Sequence, residues 1–156
     1  MQRSNVDAVT DAVLSASRVL VAVAARSLAD VSDDVTLTQY RVLVVLASRG
    51  PQIVGALAEQ LEVLPSTATR LSDRLVRKGL VTREHSISSR REVEVSLTAE
   101  GRLLVEGVTQ RRRQAIAEIV RAIPPANREA LVTALGQFAE AAGEVPEQAW
   151  SLGWGS

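Results

Sequence analysis

Apolar residues recur every three or four positions through most of this 156-residue chain, and every second position in one short stretch. The first pattern marks a helix with one buried face, the second a strand. Val6, Val9, Val13, Ala16, Leu20 and Val23 form one stripe that Ser4-Asn5 can cap. That helix is expected to end near Leu28, before a polar loop over 29–34. Thr36 and Gln39 have the spacing of a capping box and open a second helix through Leu43, Leu46 and Ala47, stopped by Gly50-Pro51. A short helix over 54–60 carries Leu57, Ala58 and, just past it, Leu61. Pro65 suits a first helical position, and the next helix runs to Lys78 with Ala68, Leu71 and Leu75 inward.

The period then changes. Val93, Val95 and Leu97 alternate with Glu94 and Ser96, and with 81–84 they predict a β-hairpin around a polar loop over 85–91. Thr98 can cap a long helix from Ala99 to the break at Pro124-Pro125; a last helix spans 126–142, and the tail 144–156 is expected to be loose. The predicted fold is mainly α with a small β-hairpin wing: a winged helix-turn-helix over 36–97, with a helical dimerisation region over 1–35 and 98–145 and a tail over 146–156. The outer amphipathic helices lack a sheet to cover them, so they are expected to pack together against a second copy. A monomeric helical bundle is the alternative.

Composition narrows the chemistry. There is no Cys and a single His, His85, so disulfides, thiol nucleophiles and multi-histidine metal sites are excluded. No cofactor and no metal are expected, and no paired carboxylate, triad or phosphate loop points to an enzyme. Only 3% of residues are aromatic, and two of these, Trp150 and Trp154, lie in the tail. The longest unbroken apolar run, 19–25, falls short of the ~20 residues a membrane span needs. A cytoplasmic protein without a membrane partner is the expectation.

Eighteen cations balance eighteen anions, which taken alone counts against nucleic acid. The distribution reverses that reading. Between Pro65 and Arg91 stand Arg70, Arg74, Arg77, Lys78, Arg83, Arg90 and Arg91 against only Asp73 and Glu84. This stretch is +5, and the remainder is −5. In a helix-turn-helix the second helix enters the major groove by its N-terminal residues. Here these are Ser66, Thr67, Thr69 and Arg70, with Arg74, Arg77 and Lys78 continuing toward the phosphate backbone. Arg70 can bond a guanine edge or a phosphate. The hairpin adds Arg83, His85, Ser88, Arg90 and Arg91, suited to a narrow minor groove. Helix-capping preference and a solvated turn would account for the same residues more blandly, and a winged helix that binds an acidic protein remains the rival function.

The stretch 36–101 closely resembles the MarR family of transcriptional regulators (multiple-antibiotic-resistance type). The carrying segments are TLTQYRVLVVLASRG, GALAEQLEVLPSTATRLSDRLVRKGLVTRE and SRREVEVSLTAEG. The resemblance implies a homodimer on double-stranded DNA at a palindromic operator, a repressor released by a small aromatic or lipophilic effector. It also implies that Asp73 orients the wing by pairing with Arg91. Tyr40 and Arg18 are the polar candidates for the effector crevice, although Tyr40 also reads as a core aromatic with a surface hydroxyl and Arg18 as a surface charge. The absence of Cys excludes thiol-based sensing. Ser86 and Ser89 replace the usual wing aspartates, and Ile53 and Leu64 replace the usual helix caps.

Overall fold

A computed structural model describes residues 4–88 and 91–152. The element order is α1 (Asn5–Val31), α2 (Leu37–Arg49), β1 (Gln52–Ile53), α3 (Val54–Leu61), α4 (Pro65–Arg77), β2 (Val81–His85), β3 (Val93–Leu97), α5 (Ala99–Arg121), α6 (Pro125–Ala141) and α7 (Glu147–Leu152). The fold is mainly helical with a small antiparallel sheet, as expected. Local signals account for most boundaries. Ser4 and Asp7 cap α1 reciprocally, Thr36 and Gln39 do the same for α2, and the Thr98 hydroxyl accepts the Gly101 N–H at the start of α5.

Two elements were not anticipated. β1 adds a third strand, pairing Gln52 with Val95 and Ile53 with Glu94, so that β3 lies between β1 and β2. Two residues have no alternation to read; the exposed edge of β3 creates this strand. The tail is not loose over 147–152. Trp150 is 8% exposed and joins the aliphatic core, the Arg49 guanidinium donates to the Gly143 carbonyl at 2.8 Å, and Arg113 pairs with Glu147 at 3.3 Å. An indole has a large apolar area to bury, which favours ordering a short segment. Trp154 lies outside the described residues. α1 also runs past Leu28 to Val31.

The core lies in the head, where Leu43, Leu57, Leu75, Val81 and Val95 are fully buried and Leu28, Val105 and Val108 close it from α1 and α5. The outer helices are different. On α1, Val6, Val9, Leu14, Val19, Leu20 and Val21 are 44–73% exposed. An 18-residue window of α1 has a mean hydropathy of 1.6 and is only 6% buried, long and apolar enough by length and composition to cross a membrane. The contiguous-run criterion missed this, because isolated charges interrupt the run without lowering its average much. None of the residues of α6 is buried, and Val132, Leu135 and Phe138 are exposed there.

Candidate nucleic-acid interface

The helix-turn-helix is α3, a tight turn and α4. Glu62 ends α3 in the left-handed region at φ 56°, which turns the chain sharply. Leu64 offers no side-chain cap, as its chemistry requires, and Pro65 starts α4 without needing an N–H partner. Ile53 likewise leaves α3 without a side-chain cap. Ala68, Leu71, Ser72 and Leu75 are buried, and the Ser72 hydroxyl is satisfied by the Ala68 carbonyl at 2.8 Å. The other face of α4 therefore points outward and presents Ser66, Arg70, Arg74 and Arg77 as exposed side chains, with Thr67 and Thr69 half-buried. The Thr69 hydroxyl donates to the Pro65 carbonyl at 3.0 Å, and Arg70 donates to the Thr67 hydroxyl at 3.3 Å, so this first turn is already organised.

The wing stands beside α4. β2 pairs with β3 from Val81 opposite Leu97 to His85 opposite Val93. A groove of ≈ 720 Å³ runs between helix and wing, lined by Asp73, Arg77, Arg83, Glu84, His85 and Val93 among others. Asp73 reaches the wing as expected, but its ion pair is to Arg83, with Arg83 Nη1 donating to Asp73 Oδ1. The resemblance had pointed to Arg91. β2 is the strand that packs on α4, which brings Arg83 directly over the Asp73 carboxylate. Arg91 is exposed beside the tip. Arg90 and Ser89 lie outside the described residues. His85 is exposed at the end of β2. Ser88 lies in a tip that Ser86 organises: the Ser86 N–H donates to the Glu92 carbonyl at 2.8 Å, and the Ser86 hydroxyl accepts the Ser88 N–H at 3.3 Å. Serine thus performs locally the turn-forming part that an aspartate would, without its charge.

Lys78 departs from expectation. Its place in the basic stretch suggests a contact to the phosphate backbone, yet its ammonium donates to the Asp34 carbonyl and to Gln39 Oε1 at 2.9 Å, with Asp34 Oδ1 at 3.5 Å. Asp34 and Gln39 were not anticipated as partners. They lie 44 and 39 residues away in the chain, and no local spacing signals the contact. The two effector candidates are not brought together. Tyr40 is 4% exposed and its hydroxyl is buried without a hydrogen-bond partner among the described residues, which corrects the reading of a hydroxyl at the surface. Arg18 is exposed on α1 and donates to the Ser15 hydroxyl at 3.4 Å.

Comparison with known proteins agrees with this architecture. A sequence model of the MarR family matches residues 35–93, the span from the start of the head to the return strand of the wing. The crystal structure of RV1404 from Mycobacterium tuberculosis is 45% identical and superposes with a TM-score of 0.85 over 94% of this chain and 99% of that one. The chain belongs to the MarR family. Among curated MarR-type regulators it is 41% identical to the HTH-type transcriptional repressor MdtR of Bacillus subtilis (strain 168) over 64 residues, which span 41% of this chain and 41% of that protein. A MarR family protein from Bacillus stearothermophilus, 22% identical with a TM-score of 0.81 over 92% of this chain and 99% of that one, shares the fold. In this MarR family chain, α4 and the β2–β3 hairpin lie side by side in the head.

Proposed function

We propose that this chain is a cytoplasmic, homodimeric repressor that binds a palindromic operator through α4 and the wing and leaves it when a small organic molecule binds. The observation that carries the reading is the exposed basic face: Arg70, Arg74 and Arg77 on α4 stand beside Arg83 and Arg91 on the wing, in a chain of zero net charge. Such a concentration steers a protein onto phosphate while the acidic remainder limits adhesion elsewhere. In this reading 36–97 is the reading head and 1–35 with 98–145 the dimerisation region. The uncovered apolar residues of α1 and α6 support the pairing. For the effector, the support is the buried hydroxyl of Tyr40 in the first turn of α2, which has no hydrogen-bond partner among the described residues.

The test is operator binding across a salt series, using DNA selected from random sequence. Affinity is expected to fall steeply with salt, with a slope of roughly −0.9 per phosphate contacted, and half-sites are expected about one helical turn apart. Arg70→Ala should relax base preference at one position by ~1–3 kcal/mol, whereas Arg77→Ala should weaken all sequences alike and reduce the slope by about 1. Failure to select any DNA, together with capture of an acidic protein, would sink the reading.

Asp73→Ala separates two roles by sign. If Asp73 only repelled phosphate, removing its charge would tighten binding. As the residue that holds Arg83, its loss should weaken operator binding, and Arg83→Ala in the same background should add little further. Tighter binding by the single variant would end the orienting role.

A further inference from the structure

We propose that Lys78 is a positioning residue, a strut that fixes the end of the recognition helix to the segment joining the head to α1. This deepens the DNA-binding reading above and rests on it. Lys78 immediately follows α4 and caps its C-terminus. Its partners are distant in the chain: Asp34 in the 32–36 connection between α1 and α2, and Gln39 in the first turn of α2.

An ammonium has three donors. Two are given to the Asp34 carbonyl and Gln39 Oε1, and the Asp34 carboxylate lies 3.5 Å away. Two of the three donors are thus committed within the protein rather than to phosphate. The acceptor side is equally filled. Gln39 is 4% exposed, and its Oε1 accepts both the Thr36 N–H at 3.3 Å and Lys78. A buried amide oxygen of this kind is costly to leave half-satisfied. One side-chain oxygen therefore caps α2, and through Lys78 it ties that cap to the end of α4. Any shift of the 32–36 connection relative to the head must move or break the same three contacts. That makes Lys78 the point at which a change between α1 and the head reaches the recognition helix.

The exposed carboxylate contributes little. Asp34 is 81% exposed, and ion pairs in such surroundings are weak. The carbonyl and the buried amide are the holding contacts, which provides a control: Asp34→Asn keeps both and should behave as wild type.

The experiment compares wild type, Lys78→Met, Lys78→Arg and Asp34→Asn. Methionine keeps the stem and removes the donors; arginine keeps donors and charge. Lys78→Met is expected to lower operator affinity on the order of tenfold with an unchanged salt slope, and to flatten the preference for one half-site spacing. Lys78→Arg should recover much of the loss. Hydrogen exchange without DNA is the independent arm: amides over 36–40 should exchange faster in Lys78→Met, while those of Leu57 and Leu75 in the core stay protected. A slope reduced by about 1 would identify a phosphate contact and overturn the strut, as would unchanged exchange over 36–40 or Asp34→Asn as severe as Lys78→Met. If wild type bound no DNA, the function would fail while the exchange arm still decided the strut.

Discussion

Replacing Gly101 with alanine is expected to destabilise the head by more than about 3 kcal/mol, beyond the usual range for an added methyl group. The position lies in the first turn of α5, where the helix passes directly over the chain leaving α4. A Cβ there would sit 2.1 Å from the Leu80 carbonyl oxygen, 3.1 Å from its carbon and 3.2 Å from Leu97 Cδ2. The first two are backbone atoms and cannot swing aside. The Leu80 carbonyl is also held, since it accepts the Thr98 N–H at 3.1 Å while the Thr98 hydroxyl donates to the Gly79 carbonyl at 2.7 Å. Relief would require α5 to lift from the sheet, exposing Leu80, Val81 and Val105. Urea unfolding measures the effect: the midpoint should fall by roughly 1 M or more. Gly55→Ala, where nothing lies within 4 Å and alanine suits the helix α3 better, should leave the midpoint at or above wild type. Equal midpoints for the two variants would show that α5 can yield.

Phe138→Asp should convert the proposed dimer into monomers of 16.7 kDa and abolish operator binding at physiological salt. Phe138 is 53% exposed and Leu135 is 52% exposed, one helical step apart on α6. In a two-fold interface each substitution occurs twice, and buried aromatic anchors each contribute ~2 kcal/mol or more. The dimer dissociation constant should rise by roughly a thousandfold. Sedimentation equilibrium reads this directly. A wild-type chain that sediments as a monomer would remove the dimer from the proposed function. It would also leave the apolar face of α1 in need of another cover.

Elements whose signals are local were legible: the Thr36–Gln39 box opens α2, Pro65 starts α4, and alternation at Val93, Val95 and Leu97 marks β3. The basic face was legible too, since seven cations in one short stretch need only counting. What escaped depends on distant partners. β1 exists because β3 offers an edge, and α7 because Trp150 meets α2. Asp73 pairs with Arg83, because the strand that carries Arg83 packs on α4, a contact that the sequence does not signal. Lys78 looked like its basic neighbours in sequence, and only the folded connection at Asp34 and Gln39 distinguishes it.

The docking of Trp150 has a consequence for the order in which this molecule is made. The core of the head draws most of its side chains from α2 to β3, yet it is completed by Val105 and Val108 on α5 and by Trp150. A ribosome releasing the chain from its N-terminus exposes Leu43, Leu57 and Leu75 well before the indole that completes the same cluster. The nascent head must therefore wait, partly open, while α5 and α6 are added, and contacts so distant in sequence close slowly. The apolar residues of α1 emerge earlier still. Pairing with a neighbouring nascent copy, or shelter by a chaperone, would be most useful in that interval, before residue 150 is released.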